Sequence, residues 1–180
     1  MKKKSLWVTE TAIMLALLVT LQALTKGFGQ LVTGSCVNAV LAVSVLLGGL
    51  GCGVTVALVS PVLAYLLGIA PMMLTVPAIM VGNAVYVVAL YFLAGRSGGV
   101  LRRVIAWVAA AVAKFAALYG IVVGLICGVL SERLLAAGTM KAPMLKTLPV
   151  TFSWPQLITA LIGGVVALLM VPVLRKALHK

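Results

Sequence analysis

The sequence predicts an all-α integral membrane protein, a bundle of six transmembrane helices with both ends in the cytoplasm. Three observations predict it. Of the 180 residues, 64% are hydrophobic and 9% charged, more apolar surface than a soluble domain of this size can hide. The mean hydropathy is +1.27, and several apolar runs approach the roughly 20 residues needed to cross a bilayer. Lys and Arg gather between these runs in a pattern that fits an even number of crossings.

In chain order, the first span is read over 8–25. Lys2, Lys3 and Lys4 precede it and hold the N-terminus inside. A basic start and an apolar centre also resemble a secretory signal, but a small-x-small cleavage site is missing, so the segment is expected to be a retained helix. Ala12 and Ala16 are four apart, and Val19 and Ala23 continue the same face, a spacing that lets a second helix approach closely. Residues 26–35 (KGFGQLVTGS) read as an outer loop, followed by a second span over 36–47 that opens with Asn38. The run GGLGCG at 48–53 reads as a tight inner turn. The third span covers 54–67 and should kink at Pro61.

After an outer turn at 68–73, the fourth span covers 74–94 and carries Asn83 near mid-depth, with Tyr86 on the same face three residues on. An amide in hydrocarbon seeks a partner, so Asn83 should face the bundle, as a helix–helix hydrogen bond or as part of a site. The fifth span, 101–130, follows a compact basic loop. Its Ala106, Ala109, Ala110, Ala113, Ala117, Gly120 and Gly124 share one face, and Gly120, Gly124 and Gly128 repeat the close-packing spacing. The long polar segment 131–154 is expected outside, as a binding lid or as a solvated connector anchored by Trp154 at the interface. The sixth span covers 156–174, with Gln156, Thr159, Ala160, Gly163 and Ala167 on one face.

Counting charges supports this topology. Nine basic residues flank the inner ends (Lys2, Lys3, Lys4, Arg96, Arg102, Arg103, Arg175, Lys176 and Lys180), against four outside (Lys26, Arg133, Lys141 and Lys146). The net charge of +12 is therefore read as topology, and nucleic acid is not an expected partner. Three cysteines without C-x-x-C spacing, one histidine and no aspartate argue against a metal site or cofactor. No phosphate-binding loop, H-E-x-x-H motif or intramembrane carboxylate pair occurs, and His179 lies beyond the last span, so an enzyme is not expected.

Lys114 stands out. A charge this far inside an apolar run costs a few kcal/mol or more, so it faces protein or a wet cavity, or else snorkels to an interface. At 1.5 Å per residue, Lys114 and Asn83 both fall near the middle of the bilayer, with Gln156, Thr159 and Asn38 nearer the outer surface. This depth pattern describes an outward-opening pocket with a cationic floor, suited to a small, polar, anionic solute.

The chain resembles the substrate-binding S components of energy-coupling factor (ECF) transporters. The residues that carry the resemblance are TETAIMLALLVTLQAL with Ala12-x-x-x-Ala16, the stretch 32–71 (VTGSCVNAVLAVSVLLGGLGCGVTVALVSPVLAYLLGIAP), VGNAVYVVALYFLAG at 81–95, and the Gly163-Gly164 pair. The resemblance implies that Ala12 and Ala16 dock on a transmembrane coupling subunit driven by two cytoplasmic ATPases. It also implies a vitamin or vitamin precursor held from outside by Asn83, Tyr86, Lys114, Trp154, Gln156, Asn38 and Gln30, in the plasma membrane of a prokaryote. Two other classes stay open: an autonomous facilitator or channel, and a membrane scaffold without a ligand.

Overall fold

The computed structural model describes residues 2–69, 72–95 and 99–178. Arg96, His179 and Lys180 lie outside the described residues, as do the side chains of Lys2, Lys3 and Lys4. Among the described residues there is no strand. The helices are α1 (Lys2–Thr25), α2 (Gln30–Leu66), α3 (Val76–Ala94), α4 (Val100–Leu118), a π-helical continuation of α4 (Tyr119–Val129), α5 (Ser131–Ala136), α6 (Met144–Thr151) and α7 (Trp154–Ala177). Among the described residues, five stretches are long and apolar enough to cross a membrane: Leu6–Phe28, Gln30–Leu66, Met73–Ala94, Val100–Val129 and Met144–Ala177.

The second of these stretches is a hairpin. Gly49 has φ 82° and ψ −179°, the one non-helical residue inside α2. Beyond it the chain turns back: a Cβ on Gly53 would lie 3.1 Å from Val45 Cα, whereas eight residues along a straight helix are about 12 Å apart. The open ends of the two arms meet again where Lys26 Nζ donates to the Gly68 carbonyl at 2.5 Å. Arms over 30–48 and 50–66 are about 28 and 25 Å long, close to the hydrocarbon thickness. Counting both arms separately, the described residues hold six helical lengths of about this size.

Several boundaries differ from the sequence reading. The expected outer loop 26–35 is mostly helix, because α2 starts at Gln30 after one short turn over Lys26–Phe28. Within GGLGCG only Gly49 leaves helical geometry, so a single residue makes the turn that six were expected to make. The helix runs through Pro61 without a break in its dihedrals. The segment 131–154 holds two short helices, α5 and α6.

The hairpin is the centre of the bundle. It packs against α1, α3 and α7, and α4 closes the ring against α3 and α7. Its core is small and tightly filled, with Leu41, Ala42, Val45, Cys52, Val56 and Ala57 almost wholly buried. In lipid, such contacts rest on close approach rather than on escape from water. Gly163 of α7 provides one: a Cβ there would sit 2.6 Å from the Ser35 carbonyl oxygen and 2.7 Å from Ala39 N. Its neighbour Gly164 accommodates the Trp107 ring of α4, whose Nε1 donates to the Ala160 carbonyl at 3.3 Å.

A second apolar cluster joins Ala78, Leu118, Val122, Ile126, Met140, Leu148 and Phe152. It seats α6 on the π-helical stretch. The glycine spacing in that stretch does not mediate helix packing: nothing approaches the Cβ positions of Gly120 or Gly124, and both are exposed. Trp7 of α1 and Arg175 of α7 both lie at the closed end of the hairpin. Trp7 abuts Gly51, and Arg175 donates to the Leu46 carbonyl at 2.9 Å.

Candidate functional site

Lys114 projects from α4 into the bundle and is only 3% exposed. Its Nζ donates to Asn38 Oδ1 at 2.6 Å and to Asn83 Oδ1 at 2.7 Å, so it joins the first arm of α2 to α3 and α4. It also lies 5.7 Å from the centroid of the Tyr86 ring, within reach of a cation–π attraction. Neither snorkelling nor lipid exposure describes it.

The amide orientations follow from this. A protonated amine only donates, so both asparagines turn their oxygens towards it. Asn38 then uses its Nδ2 on the Gly34 carbonyl at 2.9 Å and on Thr159 Oγ1 at 3.3 Å. Thr159 Oγ1 donates to the Gln156 carbonyl at 3.1 Å, and Gln156 Nε2 to the Thr151 carbonyl at 3.3 Å. A continuous polar chain thus runs from the floor residue Lys114 to α6. Among the described residues, the Asn83 Nδ2 group and the third N–H of Lys114 have no acceptor.

These groups border a cavity of about 160 Å³, lined by Gln22, Gln30, Thr33, Gly34, Val37, Asn38, Ala64, Ile69, Ile79, Asn83, Lys114, Thr151, Phe152 and Gln156. A cleft of about 590 Å³ at the closed end of the hairpin is larger, but its one charged lining residue, Arg175, already caps the Leu46 carbonyl. Buried polar groups left with spare hydrogen-bonding capacity mark the smaller cavity as the better candidate.

Five of the seven residues expected at a binding site therefore line one cavity: Asn38, Asn83, Lys114, Gln156 and Gln30. Tyr86 lies behind Lys114, fully buried, with its hydroxyl unpartnered. Trp154 stands apart. It is 66% exposed and stacks on Phe115 with ring centroids 5.8 Å apart. The inward aromatic is Phe152, which belongs to the same FSW triplet and closes the cavity from the end of α6. Gln22, Thr33 and Thr151 were not expected. Gln22 was open to the same rule as Asn83, since it is an amide inside an apolar run, whereas nothing in the sequence marks Thr33 or Thr151.

Ala12 and Ala16 are exposed on α1, and only 11% of the most apolar window of that span is buried. Among the described residues, no three His, Cys, Asp or Glu side chains gather where they could hold a metal ion.

Set against family models, curated proteins and solved structures, the chain gives no match. What the site can do follows from its own atoms. Its floor offers donors, its walls are largely apolar, and α6 covers it. Such a site can hold an acceptor-bearing solute, and it contains no nucleophile paired with a base.

Proposed function

We propose that this chain is the substrate-specificity component of an ECF-type transporter in a prokaryotic plasma membrane. It binds a small anionic vitamin or precursor from outside and hands it to a separate coupling subunit powered by two ATPases. The observation that carries this reading is the Lys114 floor: a buried amine, pinned by Asn38 and Asn83, borders a cavity with donor groups to spare. The wide exposure of α1 around Ala12 and Ala16 supports docking on a membrane partner. In this reading the chain does no covalent chemistry and uses no cofactor.

The test is to purify the protein, denature it, and identify the released small molecules by mass spectrometry. An anionic organic solute is expected from the native chain and is expected to be missing from Lys114→Gln. That variant keeps an amide NH2 as donor for the asparagine oxygens while removing the charge. Recovery of the same solute from both would sink the anion site, and uptake by the chain alone in liposomes would favour an autonomous facilitator.

A further inference from the structure

The cavity has a second polar pole that the floor does not explain. Gln22 lines it from α1, and its Oε1 is shielded from solvent without a hydrogen-bond donor. Its amide nitrogen likewise has no acceptor among the described residues. An amide left unpaired in a protein interior is destabilising. Neither the α1–α2 packing nor the polar chain through Asn38 and Thr159 uses it. Between the two poles the wall is apolar, from Val37, Ala64, Ile69, Ile79 and Phe152.

We propose that Gln22 is a selectivity residue, and that the site takes a small monocarboxylate whose far end carries a hydroxyl or amino donor for the Gln22 amide. The proposal rests on the anion-binding reading above. Size supports it: the cavity measures about 160 Å³, and a cavity of about 150 Å³ is known to hold benzene. Charge supports it as well, because Lys114 is the single ionisable residue in the lining, which matches one negative charge rather than two. The carboxylate meets the free N–H of Lys114 and the Asn83 amide, the apolar middle lies along Ile79 and Phe152, and the donor satisfies the orphaned Oε1.

Titration calorimetry with benzoate and its ortho-, meta- and para-hydroxy derivatives tests this on the purified full chain, on Gln22→Met and Gln22→Leu, and on Lys114→Gln. At least one hydroxy isomer should bind the native protein about tenfold more tightly than benzoate, the worth of one added hydrogen bond. In both Gln22 variants the hydroxy isomers should bind no more tightly than benzoate binds the same variant, and Lys114→Gln should lose all four compounds. If benzoate binds through Lys114 but no isomer gains, or if the gain survives at Gln22→Met and Gln22→Leu, the selectivity role falls and the anion site stands. If none of the four binds the native protein, both fall together.

Discussion

Lys114, Asn38 and Asn83 form one polar unit, yet the two asparagines do different work. Asn38 accepts from Lys114 and donates to Gly34 and Thr159, so both of its amide hydrogens are spent inside the protein. Asn83 accepts from Lys114 and keeps its amide hydrogens free at the cavity. Stability and binding should therefore separate between them. Asn38→Leu should lower the unfolding free energy in detergent by roughly 1–3 kcal/mol, because it removes one of the two Lys114 acceptors and the Asn38–Thr159 bond between α2 and α7. Asn83→Leu should destabilise less but weaken carboxylate binding more. Thermal unfolding and calorimetry on both variants check the crossing, and equal ranking in the two measurements would count against it. The sequence made this unit legible because polar groups deep in hydrocarbon are expensive and must meet. Trp154 was not legible in the same way. An aromatic at the membrane edge is equally at home facing lipid headgroups or a ligand, and here the choice between Phe152 and Trp154 depends on how the chain turns at Ser153, where φ is −103° and ψ −125°.

At the scale of elements, the hairpin and the α4 continuation carry most of what hydropathy could not reveal. All faces of these stretches are apolar, so periodicity has little to report. The reversal rests on Gly49, whose φ of 82° with ψ of −179° is a conformation available almost only to glycine. Gly49→Ala should cost about 1–3 kcal/mol and loosen the pairing of the arms, read as a lowered unfolding temperature with the helix content retained. A variant with native stability would show that the turn tolerates a side chain and that the reversal is held elsewhere. Past Leu118, the backbone bonds reach one residue further than in an α-helix, as in Leu130 N to the Leu125 carbonyl at 2.9 Å. Such wide turns are rare over this length and often accompany functional sites. Here the wide stretch presents Val122 and Ile126 to Leu148 and Phe152, the residues that hold α6 over the cavity. The sequence marked segment 131–154 as a candidate lid by its length alone. Its helices depend on that apolar seat, which is made only once α4 is in place.

For the whole molecule, one arrangement bears on transport. The candidate site and the exposed face of α1 share a helix but not a location, since Gln22 lies about 9 Å along the axis from Ala16 and about 15 Å from Ala12. Along that helix, burial alternates: Thr11 and Leu18 are buried, while Ala12, Ile13, Ala16 and Leu17 stay exposed. A flat strip of small side chains flanked by Ile13 and Leu17 suits contact with another membrane helix, because it lets backbones approach without a clash. Trp7 and Arg175 lie at the closed end of the hairpin, and Ala12 is only five residues along α1 from Trp7. If the bundle moves against a coupling partner, bulk on the strip should stop that motion without touching the cavity. Ala12→Trp with Ala16→Trp is expected to leave calorimetric binding of carboxylates within about twofold of native. Cells carrying the coupling module should show solute uptake no higher than cells without this chain. Loss of binding together with uptake would mean that the strip supports the fold of the site, and unchanged uptake would mean that the partner docks on another face.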